Sequence, residues 1–143
     1  MRNRVLIVDD DLVWLRLVAK QFARYADRFV TLAAAGGRQA LEVLRRQRVS
    51  LVVTDLQMPE MDGLTLLARL SAGYPDIPVI IMTAYSTPRA EQAVRASGAV
   101  GYIEKPFAVQ DLADKILAAL RRQSAGARRV VVQNQHLHGS SLS

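Results

Sequence analysis

The stretch RVLIVDDDL, residues 4–12, joins a buried strand to a cluster of acids. Residues 5–8 form a continuous apolar run of the kind that lies in a sheet covered on both faces. Asp9, Asp10 and Asp11 follow without a break, and carboxylates this close repel one another and are costly to remove from water. A cation near the end of the strand would relieve this repulsion.

Four more short apolar runs follow, and segments of helical spacing separate them. The runs are FVTLA (29–33), LVVT (51–54), VIIM (79–82) and VGYI (100–103). In the helical segments apolar residues recur every three to four positions, as at Leu15, Val18 and Phe22. Five strands that alternate with five helices predict an α/β fold, in which a doubly wound five-stranded parallel sheet carries helices on both faces.

The composition favours one globular domain without disulfides, since the chain has 143 residues, half of them hydrophobic, and no cysteine. No apolar run approaches the roughly 20 residues that span a bilayer, and the first residues lack the order of a signal peptide. We therefore expect a cytoplasmic protein without a membrane partner. The net charge of +6 suggests nucleic-acid binding. The arginines are scattered, however, and no DNA- or RNA-binding motif accompanies them, so no direct nucleic-acid partner is expected.

The helical pattern fades towards the end of the sequence. Its last regular stripe contains Leu112, Ile116 and Leu120. Beyond it, SAGARR (124–129) is typical of a linker, and residues 130–143 combine a β-prone run with polar residues. We therefore expect one domain at residues 1–122 and a linker or tail at 123–143, which could be the start of a truncated output domain.

Polar side chains follow four of the five predicted strands. They are Asp9 and Asp10 after the first strand, Asp55 after the third, Thr83 after the fourth and Lys105 after the fifth. With the strand order 2-1-3-4-5 these four strands are neighbours, about 5 Å apart. Ligands of doubly wound sheets bind outside the carboxyl ends of the strands. The sequence therefore predicts three carboxylates, a hydroxyl and an amine in one cleft.

These groups suit a divalent cation and a phosphoryl group. Mg²⁺ takes one or two protein carboxylates and fills its other positions with water and phosphate oxygens, and Mn²⁺ could replace it. Thr83 offers a hydroxyl and Lys105 an ammonium to phosphoryl oxygens. A carboxylate that faces a metal, a donor and an ammonium is placed to attack phosphorus and become an aspartyl phosphate.

Four motifs in register carry a family resemblance: VLIVDDD (5–11), VVTDLQMPEMDG (52–63), IIMTAYS (80–86) and GYIEKPF (101–107). Together they resemble the receiver domain of two-component response regulators over about residues 3–122. The resemblance implies a flavodoxin-like fold and a phosphorylation-dependent signalling switch, which catalyses only its own phosphorylation and dephosphorylation. It also implies a histidine kinase or phosphotransfer protein as the phosphodonor.

The resemblance implies a phosphoacceptor and a metal site. Asp55 would be the phosphoacceptor and a metal ligand. Asp10 would bind Mg²⁺ directly, Asp9 mostly through water, and the backbone carbonyl of Gln57 would be a further ligand.

The remaining motif residues are implied to bind the phosphoryl group, to change the protein surface when it is present, or to control its hydrolysis. Thr83 and Lys105 would bind it. Thr83 and Tyr102 would form the switch that changes the surface of the fourth helix, fifth strand and fifth helix. Gln57 and Tyr85 would tune hydrolysis of the acyl phosphate.

Four further residues in or near the motifs are interpreted separately. Asp11 is interpreted as a residue of the first helical turn, and Asp62 as a helix cap. A cis bond before Pro106 is implied only by the resemblance. Trp14 lies one position off the apolar stripe and a few residues after the acid pair, so we expect it to be partly exposed and to pack on a neighbouring helix.

Three questions of partners and function stay open. The family commonly dimerises through the fourth helix, fifth strand and fifth helix, and candidate charges for such a contact are Arg89, Glu91, Arg95, Asp111, Asp114 and Lys115. The same charges could form a solvated surface. An aspartyl phosphohydrolase is one alternative function, although it needs an acid two residues beyond its nucleophile, where this chain has Gln57. A receiver fold that only docks partners is the other.

Overall fold

The computed structural model describes residues 2–84 and 87–140, and it describes side chains as far as residue 124. In these ranges five strands alternate with five helices. The strands are Asn3–Val8 (β1), Phe29–Ala34 (β2), Leu51–Asp55 (β3), Val79–Thr83 (β4) and Gly101–Glu104 (β5). The helices are Leu12–Phe22 (α1), Gly37–Arg46 (α2), Gly63–Gly73 (α3), Pro88–Ala96 (α4) and Val109–Ser140 (α5). A short 3-10 turn, Ala23–Tyr25, follows α1.

The sheet confirms the predicted architecture. Its strands run parallel in the order β2-β1-β3-β4-β5. In register, Asp55 pairs with Met82 of β4, and Thr83 pairs with Glu104 of β5. The carboxyl ends of β1, β3, β4 and β5 therefore meet along one edge, where the polar residues follow each strand.

Two separate hydrophobic cores cover the faces of the sheet. On one face, residues of α1 and α5 such as Phe22, Leu112 and Ile116 pack on the sheet. On the other, residues of α2, α3 and α4 pack there, Leu66 and Val94 among them. Because β1, β3 and β4 are largely buried from both sides, each contains three or four successive apolar residues instead of an alternating pattern.

Side-chain caps fix where α1 and α3 begin. Asp62 caps α3 as predicted, and its carboxylate accepts a hydrogen bond from the Thr65 amide at 2.8 Å. Asp11 accepts one from the Trp14 amide at 3.0 Å and is the N-cap of α1, one position before the first turn that was predicted for it. The third acid of the opening run therefore shapes the backbone directly after the site.

The last helix extends beyond the predicted linker. The backbone of α5 is helical through residues 123–140, where the sequence indicated a linker and a β-prone run. Alanine, arginine and glutamine favour helix, and this segment contains no proline to end it. The division into a domain at 1–122 and a tail at 123–143 stays a prediction. Even with α5, no helix among the described residues has the length and apolarity needed to cross a membrane.

Candidate functional site

Three carboxylates meet at the carboxyl edge of β1 and β3. One oxygen atom each of Asp9, Asp10 and Asp55 lies within 4.8 Å of the others. Asp9 and Asp55 are buried, whereas Asp10 is exposed to solvent. Carboxylates grouped in this way match the oxygen ligands that hard divalent cations prefer, so the cluster could hold a metal ion.

Asp9 is the most constrained member of the cluster. It is 1% exposed, and both of its carboxylate oxygens accept hydrogen bonds. Oδ1 accepts from the Asp11 amide at 2.9 Å, and Oδ2 accepts from the Lys105 ammonium at 2.8 Å. Each oxygen of Asp9 therefore already has a hydrogen-bond partner, which fixes the orientation of the carboxylate in the cluster.

Asp55 ends β3 with its carboxylate held inside the protein. The residue is 8% exposed, and the Lys105 Nζ lies 3.7 Å from its Oδ2. Burial, and next the charge of Asp9, raise the pKa of Asp55 to about 6, although Lys105 and the Gln57 backbone N–H act in the opposite direction. The charged form of Asp55 is therefore costly in the metal-free protein, and a bound cation would reduce that cost.

The start of α3 fixes the backbone of Asp55. A Cβ atom on Gly63 would lie 2.4 Å from the Asp55 carbonyl oxygen and 2.9 Å from the Leu56 Cα. The Gly63 amide also donates to the Leu56 carbonyl at 2.8 Å. Only a residue without a side chain permits this approach between the loop and the acid-bearing strand.

Gly63→Ala is therefore expected to destabilise the protein by about 1–3 kcal/mol, the usual cost of overpacking against backbone that cannot move aside. Urea denaturation measures the loss. Gly73→Ala is the matched control, because Gly73 ends the same helix and a Cβ atom added there would meet nothing within 4 Å. Alanine is the better helix former, so the control should be neutral or slightly stabilised. Equal urea midpoints for the two variants would contradict the close-approach argument.

Thr83 and Lys105 bring β4 and β5 into the site. Thr83 ends β4 and is 0% exposed. The Lys105 amide donates to the Thr83 carbonyl at 2.7 Å, which ties the start of the β5–α5 loop to the end of β4. The bond between Lys105 and Pro106 is cis, as the resemblance implied. The lysine ammonium then reaches back to two of the three acids.

Tyr102 lies in β5 on the face opposite Ile103. It pairs with Ile81 and packs against the core that α2, α3 and α4 form on the sheet. Its ring is half-buried, and its hydroxyl oxygen, although inaccessible to solvent, has no hydrogen-bond partner among the described residues. A buried hydroxyl without a hydrogen-bond partner is energetically unfavourable.

One contact of the site was not predicted from sequence. The Lys105 Nζ lies 5.0 Å from the centroid of the Trp14 ring, within cation–π range. Trp14 is partly exposed, as expected, and packs edge-to-face on Phe107 at a centroid distance of 6.1 Å. The sequence signal for this contact was only that Trp14 lies off the apolar stripe and close to the acids.

The site geometry agrees with the protein family to which the sequence is similar. The response regulator receiver domain family matches residues 5–117. The chain belongs to this family. Receiver domains act in two-component signal transduction as switches, and they interact with histidine kinases or phosphotransfer proteins. Phosphorylation-dependent signalling is therefore the general role of the family to which this receiver domain belongs.

Individual relatives support the assignment. Sporulation initiation phosphotransferase F of Bacillus subtilis is 34% identical over 116 residues, which are 81% of this chain and 92% of the relative. A CheY-like receiver domain protein from Methanospirillum hungatei has a similar structure, with a TM-score of 0.79, 28% identity, and coverage of 88% of this chain and 99% of the other. The response regulator TrrA from Thermotoga maritima, solved in complex with Mg²⁺-BeF, has a TM-score of 0.70 and 27% identity, with coverage of 81% and 97%.

Other curated relatives are longer proteins. This receiver domain chain spans between 24% and 60% of their lengths. What those proteins do as a whole therefore does not transfer to this chain.

Gln57 and Tyr85 are the two residues predicted to tune hydrolysis of the acyl phosphate. Gln57 is exposed beside Asp55, and Tyr85 lies outside the described residues. Among the charges named for a dimer contact, Arg95 and Glu91 form an ion pair at 2.8 Å within α4 itself. Such exposed pairs stabilise a helix only slightly, so this contact by itself does not indicate an interface.

Proposed function

We propose that this receiver domain is a signalling switch that accepts a phosphoryl group on Asp55 from a histidine kinase or phosphotransfer protein. One observation carries the proposal: a buried carboxylate at the end of β3 lies within 4.8 Å of two further acids and 3.7 Å from a lysine ammonium. These are the groups that a carboxylate nucleophile needs around it when it attacks phosphorus.

The proposed step exchanges one phosphorus bond for another. A carboxylate oxygen of Asp55 forms a bond to phosphorus as the bond from phosphorus to the donor breaks, and the donor's histidine nitrogen or acyl oxygen keeps the electron pair. Lys105 then moves from Asp9 towards the phosphoryl oxygens, and Thr83 donates its hydroxyl to them. A divalent cation on Asp9, Asp10, Asp55 and the Gln57 carbonyl would supply positive charge against the negative charge of the phosphoryl oxygens.

Mg²⁺ is the proposed cation, and Mn²⁺ could replace it. The donor set is entirely oxygen, which Mg²⁺ prefers, and two of the three carboxylates are buried, which makes their repulsion costly without a cation. The related TrrA was solved in complex with Mg²⁺-BeF. These observations support magnesium over a softer metal that would prefer nitrogen or sulfur ligands.

The proposed readout passes through Thr83 and Tyr102. Thr83 moves towards the phosphoryl group, and Tyr102 turns into the space that is released, so that α4, β5 and α5 present a different surface. The Tyr102 hydroxyl, which has no hydrogen-bond partner among the described residues, supports this idea, because moving the ring breaks no hydrogen bond of that group. Gln57 and Tyr85 are proposed to tune the lifetime of the acyl phosphate.

The proposal also covers catalysis, oligomeric state, partners and location. Catalysis would be limited to the domain's own phosphorylation and dephosphorylation. A homodimer through α4, β5 and α5, the absence of direct nucleic-acid binding and a cytoplasmic location stay predictions. An output domain beyond residue 122 also stays a prediction.

Incubation with a small acyl phosphate tests the function directly. In Mg²⁺ the protein is expected to gain the mass of one phosphoryl group, and in EDTA it should gain none, because the acid cluster then holds no cation. Intact-mass spectrometry measures both. Labelling that is equally fast in EDTA would contradict the metal site, and no labelling under either condition would favour a fold that only docks partners.

A further inference from the structure

Lys105 contacts three different groups in the site. Its Nζ lies 2.8 Å from Asp9 Oδ2, 3.7 Å from Asp55 Oδ2 and 5.0 Å from the centroid of the Trp14 ring. The lysine side chain is 24% exposed, so the ammonium is partly withdrawn from water. Two of these contacts are with acids of the proposed metal site, and the third is with an uncharged ring.

These contacts respond differently to a metal ion. A cation on the acid cluster satisfies the charge of Asp9 and Asp55, and it also repels the ammonium. The Trp14 ring attracts a cation through its quadrupole and takes up no metal. A carboxylate accepts hydrogen bonds from the lysine ammonium, whereas the ring occupies none of its three N–H donors. These donors therefore stay available to a phosphoryl group. With a metal ion on the acids, the contact with the Trp14 ring would be the one of these three that the ion does not weaken.

Trp14 packs at the edge of the core and also contacts Lys105. Leu15, the next residue of α1, is buried in that core, whereas Trp14 stays partly exposed. Its backbone position is fixed by the Asp11 cap, and its ring is fixed by edge-to-face contact with Phe107, two residues beyond Lys105. The ring therefore joins α1 to the loop that carries the lysine.

We infer that Trp14 is a positioning residue for Lys105. Its ring holds the lysine ammonium beside Asp55 when a metal ion is bound to the acid cluster. The inference rests on the proposed function, since it assigns the lysine a phosphoryl-binding role. It extends that function by adding a residue of α1 that acts only through Lys105.

The contact itself can be measured without any reaction. Lysine is rare in this chain, occurring at Lys20, Lys105 and Lys115, so labelled lysine gives few side-chain NMR signals. In Mg²⁺, the Lys105 Cε methylene should be shifted upfield by the ring, and Trp14→Leu should remove that shift while the other two lysines stay unchanged. Val13→Ala is the matched control, because Val13 is the preceding residue and is 78% exposed. Equal Lys105 shifts in wild type and Trp14→Leu would overturn the inference.

The consequence for phosphorylation is a separate measurement. Trp14→Leu should slow labelling by acyl phosphate in Mg²⁺ about threefold to tenfold, the range expected for loss of a partly desolvated cation–π contact. The labelling rate of Trp14→Phe should lie between those of wild type and Trp14→Leu, because phenylalanine keeps an aromatic ring that attracts cations less strongly. This variant also provides the test if Trp14→Leu fails to fold. In a Lys105→Met background, Trp14→Leu should have no further effect.

The two measurements separate the two hypotheses. If the wild type takes up no phosphoryl group, the proposed function fails, while the NMR shift still decides whether Trp14 holds Lys105. A slowing by Trp14→Leu that persists in the Lys105→Met background would overturn the inference, because Trp14 would then act through general packing.

Discussion

Asp55→Asn is expected to abolish phosphoryl transfer to the protein while the fold is retained. The side-chain amide has nearly the shape of the carboxylate, but it lacks the charged oxygen that attacks phosphorus. The substitution also removes the charge that makes this buried position unfavourable, so it should not unfold the protein. Intact-mass spectrometry after incubation with acyl phosphate and Mg²⁺ measures the result.

Asp11→Asn is the matched control for that loss. Asp11 is an exposed acid of the same run, and its carboxylate caps α1 instead of joining the acid cluster. Asparagine caps helices about as well as aspartate, so stability should be unchanged and labelling should continue. Labelling that survives in Asp55→Asn would place the acceptor elsewhere, with Asp10 as the first candidate.

The positions of the site residues along the strands were predictable from the sequence. The strands that lead into Asp9, Asp55 and Thr83 are short and mostly apolar, so the polar residues that follow each apolar run mark its end. In a parallel sheet all such ends lie at one edge. Strand order then decides which of them are neighbours, and the order 2-1-3-4-5 places β1, β3, β4 and β5 side by side. Asp9 and Lys105 consequently meet although 96 positions separate them.

Other contacts depend on packing that no periodicity encodes. The meeting of Trp14 with Lys105 depends on the rotation of α1 and on the path of the loop that carries Phe107. The buried hydroxyl of Tyr102, unpartnered among the described residues, depends on the side chains of the facing helices. At residues 123–140, β-branched residues favoured a β-prone interpretation, whereas helix propensity and the absence of proline agree with the helix that forms.

The metal-free protein is expected to lose stability as pH rises, because Asp55 is harder to ionise in the folded state. Its pKa is about 6 in the fold, against 3.8 as the ordinary value. Between these values the unfolded chain releases the proton while the folded protein keeps it, so folding binds a proton and stability falls with increasing pH. Below about pH 4 the effect is absent, and above about pH 6 it reaches its full size, on the order of 3 kcal/mol.

The comparison with Asp55→Asn isolates this contribution from the other titrating groups. In EDTA, the variant should be the more stable protein, and its advantage in free energy of unfolding should grow by roughly 1–2 kcal/mol between about pH 5 and pH 8. Urea denaturation at the two pH values measures the difference. Added Mg²⁺ should reduce the advantage at the higher pH, because the cation binds the ionised carboxylate of the wild type and the amide is a weaker ligand. An advantage that is independent of pH would mean that Asp55 titrates normally, and the acid cluster would then be too well solvated to need a cation.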